Sequence, residues 1–228
     1  GYSGLVTNVD PVNAVLTKAL RTAMAQGCPV HLALTKDLWS KPTTEPIRPP
    51  EPYLNTKAQS SIEVIDGVLP LLNAAERPAI LAGRGAVGFG PLLLDLAAQW
   101  ESGIALTMSA KGVVPGAHPL VLGGLGPGGS EASSRMLAEA DLLLIAGATW
   151  WPEFYLPEHL KIVQLDAIPE NIGGKIPVAY GGVGDLNHLL PRLQAGLEQK
   201  NKSRWGQRLQ ELKVQWAERI APELETED

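Results

Sequence analysis

The sequence predicts an α/β fold: a doubly wound, mostly parallel sheet with helices on both faces. Three observations carry this. The candidate strands between residues 78 and 183 are apolar along their whole length, the mark of strands covered on both sides. Single helices separate them, and right-handed strand–helix–strand units wind such strands into one parallel sheet. Glycines close the first of these strands, at the edge where doubly wound sheets hold ligands.

The elements follow in order. Asp10 and Pro11 form a helix start, with Asp as N-cap and Pro at the first helical position. Val12, Val15, Leu16, Ala19, Leu20, Ala23 and Met24 then recur at helical spacing, and Gly27 stops the run. Residues 29–34 read as a short strand. One helix and one strand cannot bury a core, so this first piece belongs to a neighbouring sheet that lies mostly elsewhere. Five prolines between residues 40 and 53 (Pro42, Pro46, Pro49, Pro50 and Pro52) make an extended linker.

Beyond the linker, helix and strand alternate. Helices are expected over 60–75, 91–100, 130–140 and 185–197. Strands are expected over 78–83, 104–108, 141–147, 161–166 and 178–183. The glycine-rich run 123–129 reads as a flexible loop. The last helix, 203–220, sets Trp205, Leu209, Leu212, Trp216 and Ile220 on one stripe, which needs a partner surface. That surface is either the central sheet or a domain outside the chain; an uncovered stripe would drive self-association.

Composition narrows the function. The chain has 228 residues, 45% of them hydrophobic and 19% charged, which excludes wholesale disorder. Its net charge of −5, with no basic cluster, excludes a phosphate-backbone binder, so no nucleic acid partner is expected. The longest apolar run, Leu142 to Trp151, is too short to span a bilayer, so no membrane partner is expected either. A single cysteine, Cys28, forms no internal disulfide and fits a reducing, cytoplasmic compartment. The N-terminus has no initiator Met and no signal-type core, as expected of a piece of something longer.

Candidate binding residues cluster behind the strands. Gly83, Arg84 and Gly85, with Gly88, give a GxGxxG spacing, which is either a cradle for an anion or a tight strand-to-helix turn. Ser109 and Lys111 follow the second strand and could hold a phosphate. Asp166 ends the expected strand 161–166, where an acid faces a ribose hydroxyl or caps the following turn. No catalytic group stands out. The four histidines are scattered, and with one cysteine no zinc spacing exists. There is no GxSxG elbow and no GxxxxGK[ST] loop.

The order of four stretches resembles a known family. They are RPAILAGRGA, GIALTMSAKGVVPGAHPLVLGGLG, ADLLLIAGA and IVQLDAIPENIGGKIPVAYGGVGDLNHLL. In this order they resemble the central domain of thiamine-diphosphate-dependent enzymes of the acetolactate synthase and pyruvate oxidase type. AVLTKALRTAMAQGCPVHLALTKDLW resembles the end of that family's pyrimidine-binding domain, and RWGQRLQELKVQW its linker helix.

The resemblance implies four parts. Residues 1–39 end the pyrimidine-binding domain, 40–54 are the Pro-rich linker, 55–200 are a Rossmann-like central domain, and 201–228 lead to a diphosphate-binding domain outside the chain. It implies a parent that decarboxylates or ligates 2-oxo acids as a homo-oligomer. It places thiamine diphosphate and Mg²⁺ at sites outside this chain, so the chain alone is expected to be inactive. Three departures bear on a nucleotide: Ala148 to Glu153 replace an ARFDDR-like stretch, Asp166 lacks its second acid, and Leu125-Gly126 replace a Gly-His pair. These argue against tightly bound FAD: the Trp150–Trp151 indole pair either fills the crevice or stacks on an adenine and keeps a weak ADP- or CoA-type nucleotide site. A self-standing nucleotide-binding module is the alternative reading.

Overall fold

Six parallel strands form the central sheet, in the order Val121–Gly124, Gly103–Leu106, Pro78–Ala82, Leu142–Ala146, Lys161–Asp166, Tyr180–Val183. The computed structural model describes residues 1–9, 12–43, 61–198 and 203–224. The strands are β3 (Pro78–Ala82), β4 (Gly103–Leu106), β5 (Val121–Gly124), β6 (Leu142–Ala146), β7 (Lys161–Asp166) and β8 (Tyr180–Val183). The helices are α1 (Val12–Gln26), α2 (Ser61–Ala74), α3 (Gly90–Trp100), α4 (Glu131–Glu139), α5 (Leu186–Gly196) and α6 (Ser203–Leu224). The expected doubly wound, parallel Rossmann-like class is what the chain builds. The Asp10–Pro11 helix start and most of the Pro-rich linker lie outside the described residues.

Alternation along β3 explains the two layers. Ile80 and Ala82 face one side and pack with α2, α3 and α5 through Val68, Leu93 and Leu190. Ala79 and Leu81 face the other and pack with α4 and α6 through Met136, Leu137 and Leu209. All of these side chains are buried. Burying one Leu or Ile contributes roughly 1.5–3 kcal/mol, so the paired layers dominate the stability of the fold.

Helix ends follow local chemistry. The Ser130 hydroxyl accepts from Ser133 N–H at the start of α4, and the Asp185 carboxylate accepts from Asn187 N–H at the start of α5. Each cap satisfies a donor that the first helical turn leaves free. Glu101 ends α3 in the left-handed region at φ 53°.

Two strands were not expected. β1 (Ser3–Val6) pairs in parallel with β2 (His31–Leu34), so residues 1–39 hold a two-stranded sheet rather than one strand. Four residues with only Val6 buried carry no readable periodicity. The other is β5, whose last two residues enter the 123–129 run expected to be loop. Gly123 adopts φ +113°, and a Cβ there would meet the Ser130 hydroxyl oxygen at 2.6 Å. Glycine is required at that point because the strand turns tightly against the α4 cap.

The tail helix docks on the central sheet. Trp205, Leu209 and Leu212 are buried, and Trp205 Nε1–H donates to the Pro78 carbonyl across 2.9 Å. Arg208 grips Glu139 of α4 with two bonds, Nε to Oε2 at 2.8 Å and Nη2 to Oε1 at 2.7 Å. That pairing holds the Glu139 carboxyl below the usual range.

Candidate ligand crevice

In a sheet of this order the ligand crevice opens where the winding reverses, here between β3 and β6. The chain seals that point with backbone. Gly83 N–H donates to the Ala146 carbonyl at 2.9 Å, and Gly85 N–H to the Gly147 carbonyl at 2.8 Å. A Cβ on Gly83 would lie 2.3 Å from both Ala148 Cα and the Gly147 oxygen. One on Gly85 would lie 2.9 Å from Gly147 Cα. The glycines thus serve a close approach of two loops. The next N–H groups turn inward as well: Ala86 donates to Gly83, Val87 to Arg84 and Phe89 to Ala86.

The seal divides the carboxyl edge into two cavities. One of about 430 Å³ lies toward β7 and β8 and is lined by Arg84, Gly85, Thr149, Asp166 and Asp185 among others. The other, about 640 Å³, lies beside β4 and β5 and is lined by Lys111, Trp150, Met108 and the glycine loop 123–129. Arg84, Gly85 and Asp166 therefore meet in one cavity, while Lys111 stands at the other. Gly83 is buried in the partition between them. Ser109 is exposed, its hydroxyl 3.3 Å from that of Thr107.

Asp166 is occupied by its own loop. Its Oδ1 accepts from Ile168 N–H at 2.8 Å and from Asn171 Nδ2–H at 2.9 Å, holding the turn Pro169–Asn171. Burial pushes its carboxyl up from the ordinary value, and the two hydrogen bonds oppose that shift. Of its two sequence readings, turn capping is realised in these contacts.

The indole pair does not fill the crevice together. Trp151 is 2% exposed and joins the α4/α6 core cluster, whereas Trp150 is 55% exposed on the wall of the larger cavity. Burial of Trp151 leaves its chain neighbour on the solvent side. Lys175 sits beside both, with Nζ 5.6 Å from each ring and donating to the Trp151 carbonyl at 3.1 Å. Sequence reasoning missed the larger cavity altogether, because its walls come from several loops that share no motif.

A divided doubly wound sheet of this kind defines a Rossmann-like α/β domain, with no constellation of catalytic groups among the described residues. Comparison with known proteins makes it specific. Residues 65–193 match the family model for the thiamine pyrophosphate enzyme central domain, and the chain belongs to that family. It is 32% identical over 201 residues to YdaP of Bacillus subtilis (strain 168), a protein named for thiamine pyrophosphate, covering 88% of this chain and 35% of that one. It is 28% identical to a sulfoacetaldehyde acetyltransferase of Roseovarius nubinhibens, covering 91% and 38%, and 27% identical to acetolactate synthase isozyme 1 large subunit of Escherichia coli (strain K12), covering 92% and 39%. In fold it is similar to a Mycobacterium smegmatis protein described as a thiamin diphosphate-dependent enzyme, with a TM-score of 0.53 and 23% identity over 86% of this chain and 39% of that one. The chain spans little more than a third of the length of these relatives.

The described residues offer no metal-held site for thiamine diphosphate. The Asp of the Gly184-Asp185 pair is used as a helix cap, accepting from Asn187 N–H at 2.8 Å. Among the described residues, no group of three His, Cys, Asp or Glu could hold a metal ion. No chemical step is assigned to this chain through that cofactor.

Proposed function

We propose that the chain serves as the central domain of a longer thiamine-diphosphate-dependent enzyme that decarboxylates or ligates 2-oxo acids. The observation that carries this is the family match over residues 65–193, which contains all six strands of the central sheet. The acetolactate synthase and sulfoacetaldehyde acetyltransferase relatives support the reaction class. Residues 1–39 then belong to a pyrimidine-binding domain, 40–54 to a linker, 55–200 to the central domain and 201–228 to the path toward a diphosphate-binding domain. Exposed Leu16, Leu20 and Met24 on α1 support a covering neighbour for the first piece. Thiamine diphosphate and Mg²⁺ would be held by those other domains, in a cytoplasmic homo-oligomer. No helix among the described residues is long and apolar enough to cross a membrane. A weak ADP- or CoA-type nucleotide would take the smaller cavity, with Arg84 for a phosphate and Asp166 at the wall.

The test is calorimetry of the 228-residue chain with thiamine diphosphate and Mg²⁺, alongside a pyruvate turnover assay. The expected result is no saturable heat and no turnover. Micromolar binding or measurable decarboxylation would overturn the reading.

A further inference from the structure

The larger cavity has a chemistry of its own. At about 640 Å³ it falls within the range of small-molecule sites. Its inner wall is buried and apolar: Leu106, Val114, Val121 and Leu125. At its mouth stand two large apolar side chains in contact with solvent, Met108 at 78% and Trp150 at 55% exposure. A single apolar residue at a surface needs no explanation, but a cavity whose floor and rim are both apolar does.

Charge then selects among ligands. Lys111 is the one charged side chain in the lining, which contains no carboxylate and no histidine. A dinucleotide needs acceptors for its ribose hydroxyls and donors for two phosphates. The lining offers no acid for the first. For the second, several glycine-loop amides are already committed: Leu125 N–H to the Leu106 carbonyl at 2.8 Å, Gly129 N–H to Gly126 at 2.8 Å and Ser130 N–H to Gly124 at 2.9 Å. One cation, an indole face and an apolar floor suit a ligand with one negative charge and a flat body.

We propose that this cavity binds an aromatic organic monoanion, of the aryl carboxylate class, with its ring against Trp150 and its carboxylate at Lys111. Lys175, 5.6 Å from the Trp150 ring, steadies the indole from outside the cavity lining. Gly128 lines the mouth with open space where a Cβ would stand, so a ligand enters past it without displacing backbone. The site is separated from the Arg84–Asp166 cavity by the Gly83 partition.

The probe is 2-naphthoate, titrated into the 228-residue chain by calorimetry and by tryptophan fluorescence. One molecule per chain is expected to bind saturably and quench Trp150. Lys111→Met should weaken binding about tenfold, the loss of one charge-assisted contact. The neutral isostere 2-naphthamide should bind the unaltered chain about tenfold more weakly for the same reason. Trp150→Ala should abolish the quench, and Gly128→Phe should block binding. Lys111, Trp150 and Gly128 are all exposed, so these variants keep the core; far-ultraviolet circular dichroism checks that they do. ADP at millimolar concentration should not displace the probe. Absence of saturation up to millimolar naphthoate, unchanged affinity in Lys111→Met, or displacement by ADP would overturn the proposal.

Discussion

Arg21 and Pro169 meet across 148 residues of chain: the guanidinium Nε–H of Arg21 donates to the Pro169 carbonyl at 2.5 Å. This bond fixes α1, in the first piece of the chain, to the turn that Asp166 organises. It does so at a cost. Arg21 is fully buried, and its Nη1 and Nη2 have no partner among the described residues. Burial lowers its pKa to about 10, with Glu170 pulling the other way. A buried charge with unpaired donors is destabilising even where its stem packs well.

Replacing Arg21 by Met should therefore cost little. The thioether keeps the packing volume and removes the unpaired donors, at the expense of one hydrogen bond worth about 1 kcal/mol. Arg21→Ala removes the packing as well and should lose roughly 2 kcal/mol or more. Urea unfolding of both variants checks this. A Met variant that loses as much stability as the Ala variant would show that the guanidinium, through Pro169 and Glu170, outweighs the packing of its stem.

How much of this was legible beforehand follows from the residues. β6 reads from Leu142 to Ala146 as an unbroken apolar run, and the Ser130 and Asp185 caps stand at their helix starts. β1 was hidden because parallel pairing with β2 needs partners 28 residues apart, which no local period reports. The glycines at 83 and 85 were visible, but their purpose was not. A ligand cradle and a backbone-to-backbone contact require the same residue. The cavity at Lys111 and Trp150 was illegible because it exists only after β5, β4, β3 and β6 are set side by side.

The purpose of the glycines is open to a stability test. Gly83→Ala drives a Cβ into backbone at 2.3 Å, where neither side can yield without moving a strand end. The expected loss is about 3 kcal/mol or more, at the upper end of overpacking. Gly88 lies at φ +90° with open space around its Cβ position, so Gly88→Ala pays only for the left-handed backbone, about 1–2 kcal/mol. Gly128→Ala should be nearly neutral. Thermal melts in which Gly83→Ala is as stable as Gly128→Ala would refute the packing role.

Asp166 makes stability depend on pH. Its folded-state pKa is raised by burial, so the folded chain holds a proton that the unfolded chain has already released. Stability from this group is therefore lost as pH rises from the ordinary Asp value through the raised one, and is constant above. Asp166→Asn keeps an acceptor for Ile168 N–H and Asn171 and removes the ionisation. The difference in urea midpoint, Asn variant minus native, should grow from pH 4 upward and then level off. A difference that shrinks with pH would contradict the raised value.

The tail helix supplies the last test. Trp205 is buried and bonded to the Pro78 carbonyl at the start of β3, while Trp216, eleven residues on, is only partly buried against the same cluster. Trp205→Ala leaves both a void and a bare carbonyl, and should cost about 3–5 kcal/mol. Trp205→Phe fills most of the void but still leaves the carbonyl unmet, and should fall between native and Ala. Trp216→Ala should cost less than either, because solvent already reaches that position. The Arg208–Glu139 pair is too exposed to hold α6 alone, being worth under about 1 kcal/mol. Limited proteolysis should consequently cut within 203–224 in Trp205→Ala before it cuts the central sheet. Equal protection of that helix in the Ala variant and in native protein would mean that Trp205 does not anchor it.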